Sequence, residues 1–281
     1  MTTGFIGLGD MGAPMAERIL DGGFPLVVFD LRVESVGSLV RRGATAAVDA
    51  STLAKQCDLV FVCVVNDAQV ISVAEQVAGA MAPGSVLAVV SSVLPGTMAR
   101  VGELVAPGGV AVLDAPVTGS RPAAAAGTLT VLLGGDEQVV ASIRPVLDTF
   151  ARTVLYVGAS GTAQAVKIAN NMMLHMNHLV ALEAVQFAKA HGIDERTLLE
   201  VANAGTGRSW VTETWGLIDG MFVDHPQAGT DGIYDMMVKE MWNAVVLSKP
   251  AHIGVPLTAL GVQVSRGMLR QRETDLRAAG G

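Results

Sequence analysis

The chain has 281 residues, enough for two domains of ordinary size. Hydrophobic residues make up 51% of it and the mean hydropathy is +0.46. Even so, every apolar run is broken by Gly, Pro, Asp or Asn well short of the roughly 20 residues that a membrane span needs. The 19 basic and 26 acidic residues give a net charge of −7, with Lys and Arg scattered, which argues against nucleic acid or another polyanion as partner.

Residues 3 to 8 read as a short buried strand, followed by a Gly-rich turn and a helix carrying Met15, Ala16, Ile19 and Leu20 on one side. No basic segment or cleavage site precedes that strand, so the expected location is the cytoplasm. A second strand runs from Leu26 to Phe29 and ends at Asp30. Further apolar runs at Leu59–Val65, Val86–Val90, Val110–Leu113, Thr130–Leu133 and Val154–Tyr156 alternate with helical stretches, which predicts βαβ units and a largely parallel sheet. The two cysteines, Cys57 and Cys63, fall in or beside an apolar run and read as packed, reduced thiols.

The pattern changes after Gly158-Ala-Ser-Gly161. From Thr162 to about His191 there is no Gly or Pro, and apolar residues recur at helical spacing, predicting a helix on the order of 45 Å long. That exceeds what one domain needs, so the helix is expected to join two. Thr197–Ala204, Asp235–Leu247 and Leu257–Leu269 read as further helices, and Asp275–Gly281 as a frayed tail.

Gly7-Leu8-Gly9-Asp10-Met11-Gly12 is a G-x-G-x-x-G between a predicted strand and a predicted helix, and Asp30 closes the second strand. The glycines allow a tight turn and close approach of the backbone to a pyrophosphate, the helix N-terminus supplies amide donors, and the carboxylate accepts from ribose hydroxyls. All six residues of the turn and Asp30 are therefore candidate cofactor ligands. A carboxylate at Asp30 repels a 2′-phosphate, which favours NAD, while Arg32 two residues on leaves NADP possible. Val65, Asn66 and Ser92 follow strand carboxyl ends, where doubly wound sheets gather ligands, and are candidates for the nicotinamide half.

Four separated motifs resemble those of the β-hydroxyacid dehydrogenase family, which includes 3-hydroxyisobutyrate dehydrogenase and tartronate semialdehyde reductase. They are Phe5–Ala16 with its Met-Gly-Ala-Pro-Met-Ala ending; Asp114-Ala-Pro-Val-Thr-Gly-Ser120 with Gly127-Thr-Leu-Thr130; Gly158–Gly161 with Lys167-Ile-Ala-Asn-Asn171; and Val238-Lys239-Glu240-Met241. The resemblance implies a substrate loop at Thr118, Gly119 and Ser120, a catalytic helix bearing Lys167 and Asn171, and Lys239 near the cofactor. This chain departs from the family twice. Its substrate loop reads Thr-Gly-Ser-Arg-Pro where Ser-Gly-Gly is usual, leaning toward the glyoxylate and succinic semialdehyde reductases, and Glu240 stands where an Asp is usual.

Alcohol oxidation by hydride transfer needs a base for the hydroxyl proton, and the reverse reaction needs an acid at the carbonyl oxygen. Lys167 is the candidate for both, with Asn171 four residues on, on the same helix face. A free lysine titrates near 10.4, so burial or a neighbouring positive charge must lower it. Thr118, Gly119 and Ser120 would hold a substrate carboxylate, and Arg121 a second anionic group. His175 and His178 alone make only a partial metal ligand set, and packing is the simpler role. The expectation is thus an α/β protein with a Rossmann-like doubly wound N-terminal domain, residues 1–161, and an all-α C-terminal domain, residues 162–281. It would be a homodimer or homotetramer moving a hydride between NAD and a small 3-hydroxy acid, with no nucleic acid, membrane or metal partner. The alternatives are an NADPH-dependent glyoxylate or succinic semialdehyde reductase, an imine reductase, and an NAD(H)-binding protein without turnover.

Overall fold

A computed structural model describes residues 1–224 and 229–279. Among the described residues nine strands form one sheet: β1 (Thr3–Ile6), β2 (Leu26–Phe29), β3 (Thr45–Ala46), β4 (Leu59–Val62), β5 (Val86–Val89), β6 (Ala111–Asp114), β7 (Val117–Thr118), β8 (Leu129–Gly134) and β9 (Ala151–Gly158). The order is β3-β2-β1-β4-β5-β6-β8-β7, with β9 paired to β8. Strands β1 to β6 are mutually parallel, giving the doubly wound order that switches direction between β1 and β4. Beyond β6 the sheet reverses: β8 runs antiparallel to β6 and β7, and β9 parallel to β8. The two-residue strands β3 and β7 are too short to leave a period in the sequence.

The parallel strands are apolar throughout because both faces are covered. Phe5, Val28, Phe61 and Ala88 face a core closed by Met15, Ala16 and Ile19 of α1 (Gly12–Asp21), Leu39 of α2 (Val33–Arg41) and Ile143, Val146 and Leu147 of a helix at Glu137–Leu147. Alternate residues Ile6, Val60, Val62, Leu87 and Val89 face the other core. There they meet α3 (Ala50–Ala54), α4 (Asp67–Val77) and α5 (Pro95–Val105). Helix α6 (Ser120–Ala126) follows β7, and the Glu137–Leu147 helix is α7.

Helix α8 (Thr162–Ala190) is 29 residues long. Two compact units make up the chain, Met1–Lys167 and Ile168–Gly281, and α8 runs through both. The second unit continues with α9 (Glu195–Ala204), α10 (Trp210–Glu213), α11 (Leu217–Asp224), α12 (Gly229–Ser248) and α13 (Pro256–Ala279), and its described residues contain no strand. Leu182, Tyr234, Met237 and Leu269 form its apolar centre. Arg272 lies beside it, buried, donating to Glu195 at 2.7 and 2.8 Å and to Asp219 at 2.6 Å, with its guanidinium 5.1 Å from the Trp215 ring centre. The expectation of a frayed tail from Asp275 is corrected: α13 continues to Ala279. Asp275 accepts from Gln186 and Gln271, both at 2.8 Å, and Arg277 pairs with Glu273 one turn away, so polar tethers extend a helix that apolar spacing alone ends at Leu269. Residues 280–281 of that tail lie outside the described residues. Among the described residues no helix is long and apolar enough to cross a membrane.

Candidate active site

The registers of β1, β2, β4 and β5 align Ile6, Phe29, Val62 and Val89, so the turns that follow them share one edge of the sheet. At that edge Gly7 has φ +93°, and a Cβ on it would lie 2.2 Å from the Cys63 carbonyl oxygen. A Cβ on Gly12 would lie 2.0 Å from the Gly7 oxygen, so this glycine lets α1 pack onto the turn. Gly9 differs. Its Cβ would meet nothing closer than the Arg32 guanidinium at 3.7 Å, so the backbone there is open to a ligand. Leu8 is buried, Asp10 exposed and Met11 half-buried.

Asp30, the expected ribose acceptor, already holds several hydrogen bonds within the chain. One oxygen accepts from the Leu8 amide at 2.6 Å, the other from the Arg32 amide at 2.8 Å, and the Arg32 side chain bonds both, its Nε at 3.2 Å. Burial pushes this carboxyl upward, but the hydrogen bonds from Arg32 and the Leu8 amide outweigh it and hold the pKa below the ordinary value. Asp30 is nearly enclosed while Arg32 is exposed.

Val65 is 73% exposed although apolar, in the turn after β4. Asn66 spends its side-chain oxygen capping α4, accepting from the Gln69 amide at 2.9 Å. Ser92 is half-buried and flanked by two clamped residues. The Ser91 hydroxyl takes the Val64 amide at 2.7 Å and donates to the Val64 oxygen at 2.9 Å. The Gln164 side chain then donates to the Ser91 carbonyl at 2.9 Å and accepts from the Val93 amide at 3.1 Å.

Gln164 lies in the first turn of α8, whose N-terminus is fixed from β6. Asp114, fully buried at the end of that strand, accepts from the Gly161 amide at 2.6 Å and the Ser160 hydroxyl at 3.0 Å. Burial raises its pKa and these donors counteract that only in part. Gly134 makes room for it: a Cβ there would lie 2.9 Å from the Asp114 oxygen. Lys167 comes three residues after Gln164 and Asn171 four after that, so all three share a face, and all three are buried. Asn170 is half-buried, its amide 3.4 Å from the Asn171 oxygen.

Thr118 ends β7 opposite Thr130, and Gly119 and Ser120 turn the chain into α6. Both have positive φ, +133° and +68°. Ser120 thus holds a left-handed conformation at a position where the family usually has glycine, a cost on the order of 1 kcal/mol. Arg121 is exposed. Lys239 lies on α12 in the second unit, half-buried, next to Glu240, whose carboxylate is 2.6 Å from His175 Nε2. No spacing or motif marks this pair or the Gln164 clamp. A carboxylate closing an apolar strand is a readable signal for Asp114, the first residue of its motif.

Residues 2–158 match the model of the NAD-binding domain of 6-phosphogluconate dehydrogenase, and residues 161–279 that of the NAD-binding domain of NADP-dependent 3-hydroxyisobutyrate dehydrogenase. The 2-(hydroxymethyl)glutarate dehydrogenase of Eubacterium barkeri is 32% identical over 267 residues, 94% of this chain and 88% of the relative. The chain belongs to the β-hydroxyacid dehydrogenase family. Another member, the NAD-dependent L-serine dehydrogenase of Pseudomonas aeruginosa, is 30% identical over 95% of this chain and 92% of its own. A solved β-hydroxyacid dehydrogenase, the Mycobacterium tuberculosis 3-hydroxyisobutyrate dehydrogenase with L-serine, superposes with a TM-score of 0.81 at 26% identity, covering 94% of this chain and 91% of that one. As a β-hydroxyacid dehydrogenase the chain is an NAD(P)-dependent oxidoreductase acting on a CH–OH group.

Proposed function

We propose that this dehydrogenase interconverts a small 3-hydroxy acid and its semialdehyde, with NAD preferred and Lys167 as general acid and base. The observation that carries the reading is the buried placement of Lys167 and Asn171 one turn apart on a helix whose first turn is hydrogen-bonded into the loop after β5. The relatives' names supply the substrate class. L-serine, 3-hydroxyisobutyrate and 2-(hydroxymethyl)glutarate are all 3-hydroxypropionates differing in the group on the middle carbon.

The nicotinamide cofactor, when bound, supplies the hydride acceptor or donor. The residues that would hold it are Gly7 to Gly12, Asp30, Val65, Asn66, Ser92 and Lys239. Thr118, Gly119 and Ser120 hold the substrate carboxylate with hydroxyl and amide donors. The Lys167 amine takes the hydroxyl proton in oxidation and returns it to the carbonyl oxygen in reduction, and Asn171 orients that oxygen. The reading includes the domain limits 1–161 and 162–281 and a cytoplasmic location, which the two unpaired cysteines suit. It also includes a homodimer or homotetramer. The oligomer is supported by exposed Val166, Met173, Val180 and Phe187, a seven-residue repeat along α8 that a second copy would cover.

One observation favours a second reading, an NADPH-dependent semialdehyde reductase: the Arg32 guanidinium already sits on Asp30, where it would greet a 2′-phosphate. Both readings meet one experiment. Reduced-nicotinamide absorbance is followed with NAD or NADP against 3-hydroxyisobutyrate, L-serine, glycerate, 3-hydroxypropionate and 4-hydroxybutyrate, beside Lys167→Ala. Turnover of a 3-hydroxypropionate with NAD, lost in the variant, is the expected result. Turnover confined to NADP and 4-hydroxybutyrate moves the assignment to the reductase, and tight NADH binding with every acid inert removes the catalytic reading.

A further inference from the structure

The face of α8 that carries Lys167 and Asn171 does not end with them. Gln164, Lys167, Asn171, His175 and His178 follow at steps of three or four, and none is more than 9% exposed. Five polar side chains buried in a row along one helix are costly unless each is held. Those flanking the central pair on either side, Gln164 and His175, have tethers of known geometry.

Gln164 is fully buried and uses both ends of its carboxamide, Nε2 on the Ser91 carbonyl and Oε1 on the Val93 amide. Those contacts bracket Ser92 and fix the start of the helix against the loop after β5. On the far side, His175 Nε2 lies 2.6 Å from the Glu240 carboxylate, while its Nδ1 is buried without a hydrogen-bond partner. Glu240 is therefore the one hydrogen-bond tether of that ring among the described residues. It is also one methylene longer than the Asp usual in the family, and it adjoins Lys239. The two tethers stand eleven residues apart along α8, roughly 16 Å. Gln164 ties the start of α8 within the first unit and Glu240 ties its middle to α12 within the second, so the stretch of helix that bears Lys167 and Asn171 is held at each end.

We propose that Gln164 and the His175–Glu240 pair are positioning residues that aim Lys167 and Asn171. The inference rests on the reading of Lys167 as acid and base. Neither Gln164 nor His175 exchanges a proton with substrate. Each acts by removing freedom from the group that does, and misplacement of a reacting group by about 1 Å can cost on the order of a hundredfold in rate.

The test uses the full chain with NAD and whichever acid of the panel above turns over fastest. Gln164→Met keeps volume without hydrogen bonding, His175→Phe keeps a ring without nitrogen, Glu240→Gln keeps an acceptor for His175, and Lys167→Ala controls the chemistry. Steady-state kinetics are measured beside NADH binding and backbone hydrogen exchange over residues 162–178. Gln164→Met and His175→Phe are expected to lower kcat on the order of tenfold or more, with NADH affinity within about threefold of the parent and faster exchange in this stretch. Glu240→Gln is expected to lose less than His175→Phe. Faster exchange or a lower Tm with kcat unchanged marks a merely structural role and overturns the proposal. If Lys167→Ala is inert while Gln164→Met and His175→Phe keep the parent kcat, the positioning proposal alone falls. If Lys167→Ala turns over like the parent, the acid and base reading falls and takes this one with it.

Discussion

Three glycines in one motif do three different jobs, and their surroundings separate them. Gly7 carries a left-handed backbone against the Cys63 carbonyl, Gly12 lets α1 touch the turn, and Gly9 alone faces open space. Gly12→Ala must push its Cβ into the Gly7 carbonyl oxygen, so it should lower both the melting temperature and cofactor affinity, a destabilisation of about 1–3 kcal/mol. Gly9→Ala should leave the melting temperature within a degree or two, yet weaken NADH binding about tenfold or more, because its methyl fills the space a pyrophosphate needs. Thermal melts with and without NADH check both. An unchanged NADH-induced shift in Gly9→Ala would mean that the dinucleotide does not pass over this turn. Spacing in the sequence located all three glycines, but it could not rank them, because the ranking depends on Cys63 and Arg32, which are distant in the chain.

At the scale of elements, the start of α8 is held by a single carboxylate. Asp114 reaches across from β6 to take the buried Gly161 amide just before α8 and the Ser160 hydroxyl. Asp114→Ala should therefore destabilise the protein by about 1–2 kcal/mol, and Asp114→Asn by less, since an amide oxygen still accepts. Denaturant midpoints for the two variants test this, and equal midpoints for parent and alanine variant would show that the cap contributes nothing. Most elements were legible because burial leaves a period. The parallel strands are short apolar runs, and α8 repeats apolar residues over 29 positions without a Gly or Pro. What escaped was held by polar contacts or was too short to repeat. Strands β3 and β7 span two residues each, α10 depends on the Ser209–Thr212 capping box, and the last turns of α13 rely on ion pairs. The candidate site divides in the same way. Lys167 and Asn171 stand out through their motif, whereas Gln164 carries no signal and His175 only that of a partial metal pair; their roles depend on Ser91, Val93 and Glu240, distant in the chain.

Across the whole chain, acid should find its weakest point in the helical unit, where charge and a neutral histidine are packed together. Glu195 is held at about 2, first by the Arg272 hydrogen bonds and then, against burial, by Trp215 and Lys189. His178 is pushed down to about 4 by burial, with Asp219 opposing and His175 and Arg272 adding to the shift. Both folded pKa values lie below the unfolded ones, 4.5 and 6.5, so in each case the unfolded chain binds the proton first and stability is lost as pH falls. His178 contributes fully above pH 6.5, and its contribution declines between 6.5 and about 4, with a slope of at most about 1.4 kcal/mol per pH unit. The Glu195 contribution declines from 4.5 toward about 2. Unfolding midpoints measured at steps from pH 8 to 3 should therefore hold level to about 6.5 and then descend in two overlapping limbs. His178→Phe should keep packing on Trp215, whose ring centre lies 6.2 Å away, and remove the upper limb only. A parent curve that stays flat down to pH 4.5, or a variant that keeps the upper limb, would place the acid-sensitive group elsewhere.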